Sequence, residues 1–364
     1  MPQVKRFAAL LTQHKGEINF VVPLVFFLRE QGFTVDLFYC PDLEDYGGAR
    51  FISQAVNDDY LGIKTRLGTR SLSLQESVNH LSRYQKVFID HGAHAASGLI
   101  SALGLSRVAF IDHCIYIYLF LRPMLSLPNH IHANARHDAN LFGYHPASAK
   151  RVAWWGWRNY IPLGNFFSTQ SFFSYLDTLL GPQISIPSSS LIVYTREFRG
   201  DGYSPSFVQW VSYHDSLAVM AKQLGYSFIL RTHPSQDKKQ VEFLHERYAN
   251  YPGLSFQQGD SIDLFSLAHI DGLHIGLSTS ACILPAAYGM RTSLLWLPHS
   301  PGYKEPNNTY HPNIPFADFS SLGLPSYCLQ APSDISLDLL NKVPCFISDQ
   351  TLHPNALKSL LGAS

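Results

Sequence analysis

Segments with strand-like and helix-like patterns alternate along most of this sequence, and this alternation constrains its fold more than any other feature. KRFAALLTQ is an apolar run of strand length, INFVVPLVFFLREQG has helix length and ends at Gly32, and FTVDLFYC is rich in β-forming residues. Strand, helix and strand with short connections form a βαβ unit with parallel strands. The alternation resumes after residue 70 and again after residue 190. We therefore predict an α/β protein with doubly wound parallel sheets.

The length of the chain and a polar segment at its middle predict two domains. At about 150 residues per domain, 364 residues correspond to two domains with full cores. The segment 181–190, GPQISIPSSS, has the glycine, proline and serine content of a linker. We predict a Rossmann-like domain over 1–182 and a second over 190–330, facing each other across a cleft, with two helices in 331–364 that pack back on the first domain.

Composition excludes several classes of function. The 27 Lys+Arg residues balance 27 Asp+Glu residues, and a chain without net charge lacks the basic face that duplex nucleic acid requires. No apolar run approaches the 18 or more residues of a membrane span. The five cysteines form no CxxC pair, which disfavours a zinc site and a disulfide framework and indicates a reducing compartment. We therefore expect a cytoplasmic protein that needs no metal.

Two strand ends in the first domain carry residues suited to acid–base chemistry. Gly16 permits a tight turn before the first helix, and Glu17 at the helix start would stay ionised near the positive end of the helix dipole. Asp90 and His91 end the strand in the segment QKVFIDHG, and Gly92 lets the backbone turn beneath a ligand. Adjacent strand residues point to opposite faces, so we favour His91 as a base and Asp90 as an orienting group. A helix-terminal charge and a hydrogen-bonded strand end are the structural alternatives.

The strand YSFIL in the second domain ends in Arg-Thr-His-Pro. Pro234 restricts His233 to extended dihedral angles and so fixes the direction of the imidazole. An imidazole held beside Arg231 suits an anionic phosphate, which the arginine neutralises while the histidine donates a hydrogen bond or a proton. The dipeptide His-Pro occurs three more times in the chain, and its place after a strand distinguishes this one.

A second polar segment of the same domain, Gly-Leu-Ser-Thr-Ser, ends a strand and begins a helix. The hydroxyls of Ser278, Thr279 and Ser280 can cap free backbone amides, and the same amides can bind a phosphate. The segment matches neither a Walker loop nor GxSxG. Gly259, after the strand LSFQQ, fits an ordinary turn and could also line a nucleotide site.

Together these features resemble the GT-B glycosyltransferases over nearly the whole chain. Within them the chain looks most like bacterial enzymes with a His-Pro and a Ser-rich motif: the GT-B sialyltransferases, the polysaccharide Kdo transferases and the CDP-glycerol glycerophosphotransferases. In these families the histidine contacts or protonates the nucleotide phosphate and the serines bind it. The resemblance assigns those roles to His233 with Pro234 and to Ser278, Thr279 and Ser280.

The first domain shows two further resemblances, which compete for one role. HKGE resembles the Gly-Glu loop of lipid A Kdo transferases, where the glutamate is the base, and Glu17 is the matching residue. FIDHGAH resembles the His-Gly motif of the glycerophosphotransferases, where the histidine is the base, and His91 is the matching residue. The resemblance therefore implies one catalytic base and leaves two candidates for it.

The resemblance implies a metal-independent, inverting transfer in which a sialic acid-like or Kdo-like sugar moves from a CMP-activated donor to a glycan or lipid-linked acceptor. The alternatives are a CDP-glycerol or ribitol-type polyol-phosphate transferase, a sugar-nucleotide epimerase and an inactive GT-B scaffold. The aromatic and basic segment 150–158, KRVAWWGWR, would suit peripheral contact with the inner face of a membrane, or internal packing of its tryptophans.

Overall fold

The chain forms two compact units, each with its own sheet. Contacts group Met1–Gly181 with Asp349–Ser364 in the first unit and Pro182–Ser348 in the second. The computed structural model describes residues 6–11, 15–39, 63–66, 72–90, 97–111, 140–143, 157–166, 169–180, 189–195, 198, 206–233, 236–251, 255–257, 267–277, 279–297 and 325–344.

The first unit contains a seven-stranded, all-parallel sheet flanked by helices. Its strands are β1 (Arg6–Leu11), β2 (Thr34–Tyr39), β3 (Ile63–Arg66), β4 (Lys86–Asp90), β5 (Val108–Ile111), β6 (Asn140–Gly143) and β7 (Asn159–Pro162). Its helices are α1 (Lys15–Glu30), α2 (Leu72–Leu81), α3 (Ser97–Leu103) and α4 (Gln170–Leu180). The spatial order is β3-β2-β1-β4-β5-β6-β7, so the direction of strand addition reverses between β1 and β4.

The sequence of β1 explains its place at the centre of this sheet. Phe7, Ala8, Ala9 and Leu10 are buried on both faces, as expected for a strand covered by helices on each side. Asp36, at the opposite end of the sheet from the strand ends considered below, accepts hydrogen bonds from Arg6 and Tyr84 and is almost fully buried. These hydrogen bonds connect β1, β2 and the turn before β4 near the amino ends of the strands.

The second unit contains a six-stranded, all-parallel sheet with the same winding. Its strands are β8 (Ser190–Thr195), β9 (Ser227–Arg231), β10 (Ser255–Gln257), β11 (Leu273–Leu277), β12 (Arg291–Trp296) and β13 (Ser326–Cys328). Its helices are α5 (Phe207–Leu224), α6 (Lys238–Tyr248), α7 (Ile283–Ala287) and α8 (Leu337–Asn341), and a 3-10 turn, Ser280–Cys282, precedes α7. The order β10-β9-β8-β11-β12-β13 reverses between β8 and β11.

Side chains on the central strands of the second sheet alternate between two faces. Leu191 and Val193 of β8, together with alternate residues of β9 and β11, pack with α5 and α6 in one core cluster. Tyr194 of β8, Arg231 of β9 and Gly276 of β11 therefore belong to the opposite face, because strand side chains have a period of two.

The predicted fold class, two doubly wound parallel sheets in an α/β protein, is confirmed. Five described strands or helices were not predicted: β3, β6, β7, β13 and α4. The predicted loop before the first helix is also wrong, because α1 begins at Lys15 and includes Gly16 and Glu17. In the second unit the segment HDSLAVMAKQLG predicts a helix that starts at His214. The structure shows that this helix, α5, begins seven residues earlier, at Phe207.

The first of the two predicted tail helices corresponds to α8, and it packs on the second unit rather than on the first. Ile335, Leu340 and Val343 lie in the core of the second unit, where burial of their apolar side chains favours this position. Arg291 at the start of β12 adds hydrogen bonds to the carbonyls of Leu340 and Val343. The second predicted helix falls in 345–364, outside the described residues.

Candidate functional site

The carboxyl edge of the second sheet, at the ends of β8, β9 and β11, is the candidate site. In doubly wound sheets, ligands bind outside the carboxyl ends of the strands where the order of strand addition reverses. That position lies between β8 and β11 here. β8 is paired with β9 on its other side, so residues at the ends of all three strands are neighbours.

The Arg-Thr-His segment lies where the sequence predicts it, at the end of β9. Arg231 is the last residue of that strand and is 4% exposed, Thr232 is equally buried, and His233 is partly exposed. The carbonyl of His233 accepts a hydrogen bond from the amide of Gln236, close to the start of α6. A buried cation and a more accessible imidazole therefore follow each other at the edge. Pro234 lies outside the described residues.

The Ser-Thr-Ser segment follows β11 at the same edge, and its described part is tightly packed. Thr279 is buried, and its Oγ1 accepts a hydrogen bond from the amide of Ala281 at 3.4 Å, so the threonine has the predicted capping contact. The Sγ of Cys282 lies 3.3 Å from the carbonyl oxygen of Thr279. A Cβ at Gly276 would lie 2.7 Å from that sulfur, so only glycine allows this close approach.

Besides Pro234, the predicted residues Ser278 and Ser280 and the possible site residue Gly259 are not described in full. Ser280 begins the 3-10 turn by its backbone, and nothing is described of its hydroxyl. Ser278 and Gly259 lie outside the described residues. The structure therefore brings Arg231, His233 and Thr279 to one edge.

A buried hydroxyl and a buried histidine, Thr195 and His214, form a pair that the sequence analysis did not predict, on the face of β8 that packs against α5. Thr195 ends β8, and its Oγ1 lies 2.9 Å from Nε2 of His214 on α5. The other ring nitrogen, Nδ1, lies 2.7 Å from the carbonyl oxygen of Trp210. Because a carbonyl only accepts, Nδ1 carries the proton, Nε2 accepts, and the Thr195 hydroxyl donates. Burial lowers the pKa of His214 to about 4, so the ring is neutral.

A matching pair lies on the opposite face of β8. Tyr194, the preceding residue, has its hydroxyl 2.9 Å from Nδ1 of His274 on β11, and Nε2 of that histidine lies 2.8 Å from the carbonyl oxygen of Ile270. Burial lowers the pKa of His274 to about 4 as well. These four side chains were missed, although the rule that located Arg231, polar residues where a strand ends, applies equally to Tyr194 and Thr195.

In the sequence, the candidate bases Glu17 and His91 belong to the segments that follow β1 and β4 of the first sheet. Glu17 belongs to the first turn of α1, which follows β1, and Asp90 is the last residue of β4. The order of strands reverses between β1 and β4, so the segment with Glu17 lies on one side of this reversal point and Asp90 lies on the other. The backbones of Gly16, Glu17 and Asp90 are described, but the side chains of Glu17 and Asp90 are not. His91 and Gly92 lie outside the described residues.

Two further features of the described ranges bear on the metal and membrane expectations. They contain no group of three or more His, Cys, Asp or Glu side chains arranged to hold a metal ion. Nor do they contain a helix with the length and hydropathy of a membrane span. In the segment 150–158, Trp157 is buried in the core of the first unit against Phe110, so this tryptophan packs internally rather than serving a membrane contact.

Comparison with known proteins connects this architecture to solved structures. No protein-family model and no curated protein sequence matches the chain. The UDP-GlcNAc 2-epimerase of Methanocaldococcus jannaschii is 10% identical, with 99% of this chain and 100% of that chain covered and a TM-score of 0.54. A Listeria monocytogenes protein assigned as a UDP-N-acetylglucosamine 2-epimerase is 11% identical, with 80% and 78% covered and a TM-score of 0.52. At such identities the similarity establishes the fold, a GT-B-like pair of Rossmann-like domains.

Proposed function

We propose that this chain is a glycosyltransferase of the GT-B type that moves a sialic acid-like or Kdo-like sugar from a CMP-activated donor to a glycan or lipid-linked acceptor. The observation that carries this proposal is the meeting of Arg231, His233 and Thr279 at the reversal point of the second sheet. A doubly wound sheet binds nucleotides at this position, and a cation beside an imidazole suits their phosphates.

In this proposal the second unit holds the donor phosphate. Arg231 offsets its charge, and the amides and hydroxyls of the segment 278–280 donate hydrogen bonds to its oxygens. As the bond between the anomeric carbon and the phosphate oxygen breaks, the electron pair stays with the nucleotide, and His233 donates a hydrogen bond or a proton to it. These groups stabilise the leaving phosphate without a metal ion.

The first unit supplies the catalytic base in the same proposal. Either Glu17 or His91 removes the proton from an acceptor hydroxyl, whose oxygen then attacks the anomeric carbon and inverts it. Glu17 has support from its place in the first turn of α1, where the helix dipole favours the ionised carboxylate. His91 has support from its place directly after β4, the strand on the other side of the reversal point.

Binding of a nucleotide is the first test of the proposal. We expect CMP or CDP to raise the melting temperature of the full chain in a panel that also contains UDP and GDP, because a ligand that binds only the native state stabilises it. A shift in melting temperature with UDP alone would indicate that the donor is a UDP-sugar rather than a CMP-activated sugar. No shift with any of the four would contradict nucleotide binding and favour an inactive scaffold.

The role of His233 gives the second test. We expect His233→Ala to lower the turnover of a CMP-activated sugar by roughly 10²-fold or more, the usual contribution of a positioned acid or base. His245→Ala is the matched control, because His245 is exposed on α6, and it should retain wild-type turnover. Full activity of a folded His233→Ala protein would contradict the assignment.

A sugar-nucleotide epimerase is the second candidate, and the structural similarity to UDP-GlcNAc 2-epimerases favours it. The two activities differ in what they require and release. An epimerase converts a UDP-sugar into an isomer of the same mass without an acceptor, whereas a transferase releases nucleotide only when an acceptor is present. Mass and NMR analysis of products with and without acceptor separates them, and transfer of a polyol phosphate would appear as a different added mass.

A further inference from the structure

The buried pair Tyr194 and His274 lies beside the phosphate-binding arginine and has no role in the proposed mechanism. The Tyr194 hydroxyl and His274 Nδ1 are 2.9 Å apart, and their rings stack with centroids 5.9 Å apart and planes at 15°. Both side chains are completely buried. This contact joins neighbouring strands, β8 and β11, next to the reversal point of the sheet.

The direction of the hydrogen bond follows from the second contact of the histidine. Nε2 of His274 faces the carbonyl oxygen of Ile270 at 2.8 Å, and a carbonyl can only accept. The neutral ring therefore carries its proton on Nε2 and accepts at Nδ1, so the Tyr194 hydroxyl must donate to it. With its hydrogen fixed toward His274, the phenol oxygen turns its lone pairs away from the histidine.

Arg231 is the neighbour of Tyr194 on the other side. The two residues are direct partners in the pairing of β8 with β9, and strands paired in this way lie about 4.8 Å apart. Tyr194 and Arg231 also share the face opposite to the core formed with α5 and α6. Burial raises the pKa of Tyr194, and the positive charge of Arg231 acts in the opposite direction, so the two groups interact electrostatically.

We propose that His274 and Tyr194 are positioning residues that hold Arg231 for the donor phosphate. His274 fixes the tyrosine hydroxyl as an acceptor toward the arginine, and the oriented phenol oxygen stabilises the buried guanidinium at the carboxyl edge of the sheet. A buried cation requires such oriented partners, because burial removes its water. This inference rests on the proposed function, in which Arg231 binds the phosphate.

The test separates phosphate binding from binding of the rest of the nucleotide. Tyr194→Phe removes only the hydroxyl, and Tyr213→Phe is the matched control, a tyrosine of α5 that is equally buried in the same unit. Titration calorimetry on the full chain measures the affinities of CMP, CDP and UDP and of cytidine and uridine for each variant.

We expect Tyr194→Phe to weaken binding of the nucleotide that the wild-type chain binds by about five- to tenfold, the effect of one hydrogen bond, and to leave nucleoside binding within about twofold. Tyr213→Phe should change neither. Unchanged nucleotide affinity would overturn the inference. An equal loss for nucleotide and nucleoside would overturn it too, because that result indicates a general structural role.

A second variant tests whether the two residues act as one unit. His274→Phe keeps a ring for stacking and removes the acceptor, and near-UV circular dichroism and thermal melting establish that the variant is folded. The double variant Tyr194→Phe with His274→Phe should lose no more nucleotide affinity than the single variant that binds more weakly, because coupled residues are non-additive. Additive losses would overturn the inference.

Failure of the inference is distinguishable from failure of the proposed function. If the wild-type chain binds CMP, CDP or UDP and Tyr194→Phe binds the same compound equally well, nucleotide binding stands and the positioning role of the pair is wrong. If the wild-type chain binds none of the three, the proposed function fails and the inference fails with it.

Discussion

At the scale of single residues, the second unit contains two buried histidines with the same arrangement. His214 and His274 each donate from one ring nitrogen to the carbonyl oxygen four residues earlier in the chain, at Trp210 and Ile270. Each accepts with the other nitrogen from a hydroxyl of β8. The carbonyl fixes the tautomer, and the tautomer fixes the direction of the hydroxyl. Consecutive residues on opposite faces of β8 are therefore oriented by the same means.

These histidines make the stability of the protein depend on pH. Burial lowers the pKa of both to about 4, from an ordinary value of 6.5. Between these values the unfolded chain binds protons that the folded chain does not, so the free energy of unfolding decreases as the pH falls from about 6.5 to 4. Each histidine contributes up to roughly 3 kcal/mol to this loss.

Urea unfolding across this pH range measures the effect. His214→Gln should lower the stability at neutral pH and also reduce the loss on acidification, since the side chain no longer titrates. His245→Gln, on the exposed face of α6, should keep the wild-type dependence. A free energy of unfolding that stays constant between about pH 6.5 and 4.5 would contradict the prediction.

The sequence predicts the site only in part, and the difference between residues has a physical cause. Arg231, His233 and Thr279 were predictable, because they follow apolar runs of strand length and parallel strands end at a common edge. The partners Tyr194 and His274 are 80 residues apart, and Thr195 and His214 are 19 residues apart. A hydrogen bond between such side chains depends on the order of the strands and the packing of α5, which a local pattern does not contain.

At the scale of elements, the prediction succeeded where a segment carries both its hydrophobic pattern and its boundaries. β1, β8 and β11 are apolar runs ended by polar residues, and α6 has a regular amphipathic pattern. The missed strands are short: β3, β6 and β7 have four residues each and β13 has three. Strands of this length contain too few residues for an alternating pattern, and pairing with their neighbours in the sheet stabilises them.

The start of α5 was missed although the sequence contains its signal. The Ser206 side chain accepts a hydrogen bond from the amide of Gln209, and the Gln209 side chain accepts one from the amide of Ser206, which together form a capping box. The aromatic and β-branched residues that follow are weak helix formers, so helix propensity alone favours a later start for α5.

This capping box gives a prediction for the stability of the helix. We expect Ser206→Ala to lower the free energy of unfolding by about 1 kcal/mol, because an amide of the first turn loses its partner. Ser212→Ala is the control: its hydroxyl bonds to the carbonyl of Val208 inside the same helix, where alanine is the better helix former. It should leave the stability within about 0.5 kcal/mol of wild type. Denaturant unfolding measures both, and equal effects would contradict the capping role.

At the scale of the whole molecule, the two sheets share one winding order. In each, the strand that comes first in the chain is central and has the second strand on one side and the fourth on the other. Each sheet therefore has its own reversal point and its own edge suited to a ligand. In the proposed function, the donor binds at the edge of the second sheet.

Hydrogen exchange measured by mass spectrometry tests that assignment in the full chain. We expect a nucleotide of the panel that binds to slow exchange in peptides that contain Thr195, Arg231 and Leu277, at the ends of β8, β9 and β11. Peptides at the ends of β1 and β4 should exchange as in the free protein, because the nucleotide contacts only the second unit. Protection confined to the first unit would show that the two units have the opposite roles.

The lengths of the strands also have a consequence for self-association. In both sheets the central strands are longer than the edge strands. β1 and β8 have six residues each, whereas the edge strands β10 and β13 have three and the edge strands β3 and β7 have four. Pro162, at the end of β7, removes one backbone donor from an edge. Short edges offer few free backbone groups to a second chain. The folded protein is therefore protected against edge-to-edge polymerisation, and concentrated preparations should stay free of β-rich aggregates.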